Sequence, residues 1–538
     1  MRKGIYILVA SVLVLTLLIA CGQPAPSPAP TTPATTPKTA APAAPQASPT
    51  PVTAPAVTPQ YGGIIKIVFG TMPRSFLPPL HPGGTMVFPG ASHDSLLLLD
   101  EQGDYKPWLA TDWKFSADFK SLTLTLRKGV KFHDGTDFNA AAVKWNIETR
   151  RDSKQGDYEN VTSVTVIDDY TVRLDLDKFS NTMLVTLADL GGAIASPTTV
   201  QKLGVEKAHW FPVGTGPFKF VNYVSNQLYK LERFDGYWQK GKPYLDGFEV
   251  YLIEDKVTSA LSLQKGQVDA FTQPDAQIAY DLKSKGFQVV PPQPSTVYTF
   301  VGDSANADSP FANKKVREAV EYAIDREAIV KAVGYGFYET SYQISPAYSY
   351  AHVPELQGRR AYDLAKAKQL LTEAGFPNGF KTKIYIRSTT ARDPFVAAIT
   401  NLKEVGIDAT LEPMPIASYT QLANAGWRNA MLQQIFWVDP DWVWRRSGDV
   451  STTSIVNKSM LRPAGLQELL EQLIKTPDFQ SKKSLSQQLT KKLSDEAIVT
   501  PLWAFGFPIM YDKKIGNPAG LRNRPTTSGN PASLWLRK

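Results

Sequence analysis

The chain has 538 residues, which is long for one ordinary hydrophobic core, so two or three lobes are expected. Its formal net charge is +8, and the basic residues are spread through the sequence among acidic ones. That spread indicates solvated helix faces and excludes a basic stripe for nucleic acid.

The first residues have the pattern of a targeting segment. Arg2 and Lys3 form a basic start, residues 5–20 form an apolar run, and Cys21 follows it. The run is short for a membrane-spanning helix. The pattern resembles a bacterial lipoprotein signal, whose cysteine becomes the new N-terminus and carries lipid; a plain signal peptide is the alternative. We therefore expect a signal peptide at residues 1–21, lipid on Cys21, and a place in the cell envelope, in the periplasm or on the outer face of the cytoplasmic membrane.

The segment after the cysteine has the composition of a tether. Residues 22–60 are dominated by Pro, Ala, Thr and Ser, with Lys38 as the only charged residue. Such a segment buries too little apolar surface to offset its ordering entropy, so we expect it to be disordered. Because the chain has no cysteine besides Cys21, the exported fold has no internal disulfide and depends on core burial.

The folded part begins at Tyr61, and its first half is rich in strand patterns. An apolar strand at residues 64–69 follows a Gly pair, and leucines alternate with threonines over residues 122–126, as in a half-buried strand. The other predicted elements of this half are a helix at 92–99, a strand at 130–132, a helix at 140–150, and hairpins at 164–176 and 218–233.

From about Pro291 the pattern changes to helices with polar caps. Asn313, Asp325 and Asp363 each stand where they can cap the helix that follows. The further predicted elements are helices at 464–476 and 478–492, and a strand at 498–505 that returns to the first lobe.

A βαβ unit lies inside this second half. A strand at 381–387, a helix begun by Asp393 and Pro394, and a strand at 407–411 follow one another. This order predicts a sheet with parallel strands, and the apolar stretch 431–436 is its next strand.

The loop after that strand is a candidate binding site. It holds two carboxylates, Asp439 and Asp441, among three tryptophans. Aromatic rings give rigid apolar walls, and a carboxylate held among them suits a ligand ammonium group. Open α/β sheets also bind ligands at the carboxyl ends of their strands. The plainer alternative is that one carboxylate caps a turn or the next helix. The tryptophans are Trp437, Trp442 and Trp444.

Several motifs in fixed order resemble a known family. The run Leu-Thr-Leu-Thr-Leu-Arg-Lys-Gly-Val-Lys-Phe-His-Asp-Gly-Thr is similar to a signature of the extracellular solute-binding proteins of family 5, the dipeptide, oligopeptide and nickel receptors of ABC importers. Together the motifs cover nearly the whole exported chain, from about Gly62 to Tyr511. This run is the central part of a signature that extends over Leu109–Glu148, and the further matches are at 213–218, 241–246, 316–326, 362–367 and 406–408.

The resemblance implies an α/β, two-lobed periplasmic-binding-protein type II fold with an enlarged first lobe and a ligand cleft between the lobes. It assigns residues 61–291 to the first lobe, with a subdomain at about 90–210. Residues 292–497 are then the second lobe, and residues 498–538 form a C-terminal return to the first.

The resemblance also implies which residues bind the ligand. Peptide-binding members hold the peptide ammonium with an aspartate in a Trp-x-x-Asp-like loop, which favours Asp439 with Asp441 in reserve. A basic residue after the preceding strand often meets the ligand carboxylate, and the candidates are Arg387 and Arg392. Trp437 and Trp442 complete the expected site.

The function implied is capture and delivery of a solute, not catalysis. We expect a monomer that binds a short peptide and presents it to an ABC permease, with no cofactor, no metal and no nucleic acid. An oligosaccharide, or a nickel complex, is the alternative ligand in the same fold. A secreted serine hydrolase using Ser262 and Lys265 is a remote alternative, since they have the Ser-x-x-Lys spacing.

Overall fold

The computed structural model describes residues 58–71, 73–81, 86, 88–100, 104–154, 157–438, 441–454, 456–522 and 529–538. Cys21, the tether up to residue 57 and Asp439 therefore lie outside the described residues. Among the helices within these ranges, none is both long enough and apolar enough to cross a membrane.

The first half of the folded chain contains twelve strands and seven helices among the described residues. The strands are β1 (Ile64–Phe69), β2 (Leu97–Leu99), β3 (Tyr105–Pro107), β4 (Ala110–Phe115), β5 (Ser121–Leu126), β6 (Val161–Asp168), β7 (Thr171–Leu176), β8 (Phe218–Val224), β9 (Leu228–Arg233), β10 (Gly247–Leu252), β11 (Ala270–Thr272) and β12 (Gln288–Val290). The helices are α1 (Pro89–Ser92), α2 (Ala140–Asp152), α3 (Met183–Ala188), α4 (Pro197–Leu203), α5 (Val205–Ala208), α6 (Lys256–Gln264) and α7 (Ala276–Ser284).

The second half adds the remaining described elements. Its strands are β13 (Thr296–Gly302), β14 (Tyr338–Thr340), β15 (Phe380–Arg387), β16 (Ile407–Met414), β17 (Ala430–Trp437), β18 (Thr500–Phe505), β19 (Ile509–Tyr511), β20 (Ile515–Gly516) and β21 (Trp535–Leu536). Its helices are α8 (Lys314–Ala323), α9 (Arg326–Val333), α10 (Leu364–Glu373), α11 (Asp393–Glu404), α12 (Ile416–Ala425), α13 (Trp442–Val450), α14 (Leu466–Lys475) and α15 (Phe479–Asp495).

Two sheets form the part that we call the first lobe. A seven-stranded sheet has the order β12-β19-β11-β1-β10-β9-β8, with β1 parallel to both β10 and β11. A four-stranded antiparallel sheet, β4-β5-β7-β6, packs against α2. Its alternating leucines, Leu122, Leu124 and Leu126, are buried in one core, as their period-2 spacing predicts.

A six-stranded sheet, β14-β18-β13-β17-β15-β16, forms the part that we call the second lobe. Helices cover both of its faces. One core contains Met431 of β17 with side chains of α8 to α11, and the other contains Leu432 with side chains of α12 to α15. The parallel pairing of β15 and β16 around α11 confirms the predicted βαβ unit.

The predicted helix caps are confirmed. The side chains of Asn313, Asp325 and Asp363 accept hydrogen bonds from backbone N–H groups in the first turns of α8, α9 and α10. Each satisfies a donor that the helix itself leaves without a partner.

Three local predictions are wrong. Residues 92–99 are not one helix, because α1 ends at Ser92 and residues 97–99 pair with β3. At residues 130–132 there is only an isolated bridge, from Lys131 to Asp137. The strand at 500–505 does not return to the first lobe: it is paired on both sides, by β13 and β14, and all of its residues are buried. The strand that joins the seven-stranded sheet is β19.

The chain passes between the two large sheets twice within the described residues. Residues 291–295 connect β12 to β13, and residues 506–508 connect β18 to β19. The two crossings touch, since a Cβ on Gly506 would overlap the carbonyl oxygen of Gln293. The lobes are thus joined by a narrow pair of segments, the arrangement expected of a hinge.

Candidate functional site

Three parallel strands of the second lobe end at one edge, at Arg387, Met414 and Trp437. The antiparallel strands β13 and β18 bring Thr296 and Phe505 to the same edge. Both chain crossings to the first lobe leave from it. The carboxyl edge of this sheet therefore faces the first lobe, which is where open α/β sheets bind ligands.

A carboxylate of the first lobe acts on this edge. Asp275 forms an ion pair with Lys256 of the same lobe. Burial, with the charge of Asp275 as a smaller cause, raises the pKa of Tyr338 to about 12. Burial also raises the pKa of Tyr298, although this side chain is only half-buried.

Aromatic rings line the edge. Tyr298 stacks on Phe505 with ring centroids 4.5 Å apart, and Phe505 packs edge-on against Phe507 at 5.2 Å. The ring of Trp437 lies 6.4 Å from that of Phe507, which is 38% exposed. Since Trp437 is also only half-buried, the predicted aromatic wall is present at this residue and continues into the second crossing segment.

The two candidate arginines have different surroundings. The Arg387 guanidinium lies 4.7 Å from the ring centroid of Tyr419 on α12. Within the described part of the chain, this guanidinium has no ion pair and no hydrogen bond. Arg392, at the start of α11, is exposed and its carbonyl accepts from Phe395 and Val396. Arg387 lies at the carboxyl edge and is half-buried. Of the two arginines, it is therefore the one whose guanidinium can bind a ligand anion at this edge.

Asp441 is buried and held by other side chains. Its Oδ2 accepts a hydrogen bond of 2.7 Å from Lys482 Nζ and one of 3.1 Å from the Tyr350 hydroxyl. Its carbonyl oxygen accepts from the backbone N–H of Arg445 in the first turn of α13. This last contact places Asp441 at the N-terminus of α13, but it involves the backbone and not the carboxylate. Asp439 lies outside the described residues.

Trp442 has no open face for a ligand. It is 1% exposed and belongs to the core between the six-stranded sheet and α12 to α15. The expectation that it lines the site does not agree with this packing, because its position on α13 turns it into that core. The sequence alone could not distinguish a tryptophan on a loop from one on the buried side of a helix.

From the sequence we did not identify two buried charged residues that bind the segment between β17 and α13. Lys482 comes from α15, and Arg446, fully buried on α13, donates 2.6 Å to the carbonyl of Trp437 and pairs with Asp449 at 2.8 Å. Burial lowers the pKa of Arg446 and raises that of Asp449. The four-residue spacing of Trp442 and Arg446 could have indicated this role of Arg446, because on a helix it places the guanidinium over the indole.

Other chemistries find little support in the described residues. The Ser262 hydroxyl donates to the carbonyl of Thr258 in its own helix, and it does not bond to Lys265. No group of three His, Cys, Asp or Glu side chains stands close enough to hold a metal ion in the described ranges.

Comparison with known proteins adds a family and several relatives. The family described as bacterial extracellular solute-binding proteins, family 5 (middle) matches residues 104–449. The glutathione-binding protein GsiB of Escherichia coli (strain K12) is 34% identical over 333 residues, which are 60% of this chain and 64% of that protein. This match thus spans somewhat less than two thirds of the relative.

Solved structures share the fold. The periplasmic binding protein DppA of Helicobacter pylori, in complex with the peptide STSA, has a TM-score of 0.75 at 24% identity, covering 89% of this chain and 99% of that one. NikZ of Campylobacter jejuni, in complex with Ni(L-His), has a TM-score of 0.72 at 18% identity, covering 84% and 94%. The two-lobed type II fold predicted from the motifs is confirmed.

Proposed function

Because this chain belongs to family 5 of the bacterial extracellular solute-binding proteins, we propose that it captures a short peptide between its lobes and delivers it to the permease of an ABC importer. The proposal includes no bond-making step. Ligand contacts to both lobes stabilise the closed arrangement over the open one, and the crossing segments at 291–295 and 506–508 act as the hinge.

The observation that carries the peptide proposal is the Arg387 guanidinium. It stands at the carboxyl edge of the second lobe over Tyr419, with no protein anion bound to it in the described structure. A half-buried charge of this kind gains from a ligand anion, and a planar guanidinium pairs bidentately with a carboxylate. The C-terminal carboxylate of a peptide supplies that group.

The aromatic wall supports a peptide of variable sequence. Trp437, Phe507 and Tyr298 offer apolar faces that accept side chains of different shape without requiring particular hydrogen bonds. Waters between such walls and the ligand can bridge the remaining polar groups.

For the ligand ammonium we propose Asp439 rather than Asp441. Asp441 already has a cation, Lys482, 2.7 Å away. Asp439, which the family resemblance favours, lies outside the described residues and stays a sequence-based assignment. Asp439→Ala is expected to weaken peptide binding by about 2–5 kcal/mol, because the ammonium would be buried without its counter-charge.

Calorimetry on the full chain with terminally blocked peptides tests the proposal. Tri-alanine is the first probe, compared with its N-acetylated and C-amidated forms; glutathione is the second, because a relative carries that name. Each blocked form is expected to bind at least tenfold more weakly than free tri-alanine, since each loses a terminal charge. If blocked and free peptides bind equally, the peptide proposal fails.

Mass spectrometry of the small molecules that co-purify with the protein separates the alternative ligands. A mixture of short peptides supports the proposal. An oligosaccharide would stack on the half-exposed Trp437 and would be insensitive to terminal blocking. A nickel complex would appear as the metal, and either finding would replace the peptide as the ligand.

We also propose that the mature protein is anchored through lipid on Cys21. The support is the sequence pattern of residues 1–21. Intact-mass analysis of the membrane-bound protein is expected to show a diacylglycerol on Cys21, and Cys21→Ser is expected to leave the protein unlipidated. An unmodified Cys21 in the membrane fraction would contradict the anchor.

A further inference from the structure

The two lobes make a specific contact at Asn181, well away in sequence from the crossing segments. Asn181 belongs to the first lobe, between β7 and α3. Its side-chain Nδ2 donates to the carbonyls of Leu473, at 2.7 Å, and Thr476, at 3.0 Å. Its backbone N–H donates to the carbonyl of Ile474 at 3.0 Å. All three acceptors lie at the C-terminal end of α14 in the second lobe.

These bonds supply partners at the end of α14, where the carbonyl of Leu473 otherwise accepts a bond of 3.3 Å from the backbone N–H of Thr476. The last carbonyls of an α-helix have no partner within the helix, and they carry the negative end of its dipole. Asn181 therefore acts as a C-terminal cap supplied by the other lobe. A cap of this kind is lost as soon as the lobes separate.

The loop that carries Asn181 is held rigidly on the first lobe. Phe179 packs against Phe115 at 5.3 Å and against Phe119 at 4.9 Å, and both belong to the β4–β5 hairpin. Helix α3 follows Asn181 directly and packs against β2 and β3. The amide is thus presented by a fixed loop and needs little ordering to bond.

The charge of a second-lobe carboxylate also reaches β3, the strand that packs against α3. Tyr105 is on β3, and its pKa is raised well above the usual value, mainly by burial and partly by the charge of Asp441 in the second lobe. Asp441 is in turn bound by Lys482, on the helix that begins at Phe479 just after the α14–α15 turn. The hydrogen bonds between the lobes at this point are therefore those of Asn181 with the end of α14.

We propose that Asn181 is a closure latch: a positioning residue that stabilises the closed arrangement of the lobes and so sets ligand affinity without touching ligand. The affinity part rests on the proposed function, whereas the closure part does not. In the described residues the chain crosses between the two large sheets only at 291–295 and 506–508, so no covalent link keeps Asn181 beside α14. The hydrogen bonds of Asn181 form only in the closed state, where their free energy adds to that of the ligand contacts.

The test compares three variants of the full chain. Asn181→Ala removes the side-chain donors, and Asn181→Asp places a carboxylate against the helix C-terminus at nearly unchanged volume. Ser180→Ala is the matched control, because within the described ranges the Ser180 hydroxyl bonds to Thr182 alone, in its own loop. The distance between fluorophores placed on the two lobes is measured without ligand and with tri-alanine.

For Asn181→Ala we expect a longer mean interlobe distance without ligand and about tenfold weaker binding of tri-alanine. The variant removes two hydrogen bonds that exist only in the closed state, so it destabilises that state alone. Asn181→Asp is expected to have the larger effect on both readouts, because like charges meet at the helix end. Ser180→Ala should match the unmodified protein.

The latch is overturned if both Asn181 variants show the unmodified interlobe distance. The distance without ligand needs no bound peptide, so it tests the latch even if tri-alanine does not bind. An altered distance with failed tri-alanine binding in the unmodified protein would support the latch and contradict the peptide proposal. Thermal unfolding with one transition at an unchanged temperature excludes misfolding as the cause.

Discussion

The ammonium of Lys482 lies 2.7 Å from Oδ2 of Asp441, and the two side chains are only 11% and 7% exposed. Tyr350 donates to the same oxygen at 3.1 Å. The pair joins α15 to the segment that precedes α13, beneath the carboxyl edge of the sheet. This carboxylate thus serves the packing of the second lobe.

Asp441→Asn is expected to lower the free energy of unfolding by about 2–4 kcal/mol, because it leaves the Lys482 ammonium buried without its counter-charge. Urea unfolding provides the measurement. The matched control is Asp308→Asn, which breaks the pair with Arg428 at side chains 73% and 67% exposed, and it should cost about 1 kcal/mol or less. Equal losses of unfolding free energy in the two variants would show that the buried pair stabilises the fold no more than the exposed pair does.

The assignment of Arg387 makes a second prediction. Arg387→Ala should weaken tri-alanine binding by about 2–4 kcal/mol, and Arg387→Lys should recover only part of this loss, because an ammonium lacks the planar fork. Calorimetry with C-amidated tri-alanine should show no difference between the variants. The control is Arg392→Ala, which should bind normally because Arg392 is exposed. Loss of binding in Arg392→Ala alone would transfer the role to that residue.

Contact between the crossing segments makes Gly506 a sensitive position. Gly506→Ala would place a methyl group against the carbonyl oxygen of Gln293, so the segments must move apart. We expect a loss of about 1–3 kcal/mol in unfolding free energy and an altered interlobe distance. The control is Gly448→Ala on α13, where the added Cβ meets nothing within 4 Å; it should be neutral or stabilising by up to about 1 kcal/mol. A neutral Gly506→Ala would argue against close contact at the hinge.

Local sequence signals predicted the elements that local physics determines. Asn313, Asp325 and Asp363 cap the helices that follow them, and the leucines of β5 face the core, because caps and strand periodicity depend on neighbouring residues. The carboxyl edge with Arg387 and Trp437 was also predictable, since βαβ order determines which strand ends share an edge.

Long-range pairing accounts for what the sequence did not predict. The strand at 500–505 was predicted, but the sheet that it joins was not, because its partner β13 lies about 200 residues earlier in the chain. Asn181 and α14 are separated by 292 residues, and no local pattern marks either as a partner of the other. Leu97–Leu99 is an apolar run too short for periodicity to separate a strand from a helix. The proposed domain limits stay a prediction for the same reason.

Acid sensitivity is expected at His81, where the structure buries an imidazole without a partner. The side chain is 0% exposed, and neither ring nitrogen has a hydrogen bond in the described structure. Burial, helped by the positive charge of Arg150, lowers the pKa of His81 from 6.5 to about 4. Between these two pH values the unfolded chain binds a proton that the folded chain does not, so stability is fully present above pH 6.5 and is lost as the pH falls towards 4.

His81→Leu is expected to remove this part of the pH dependence. The difference in unfolding free energy between the variant and the unmodified protein should grow in favour of the variant by up to about 3 kcal/mol as the pH falls from 7 to 4. Urea unfolding at several pH values measures it. The other histidines with a lowered pKa, His93 and His133, cancel in the difference because both proteins retain them. A difference that stays constant over this range would mean that His81 titrates alike in the folded and unfolded chains, and the burial of an unpartnered imidazole at this position would then be wrong.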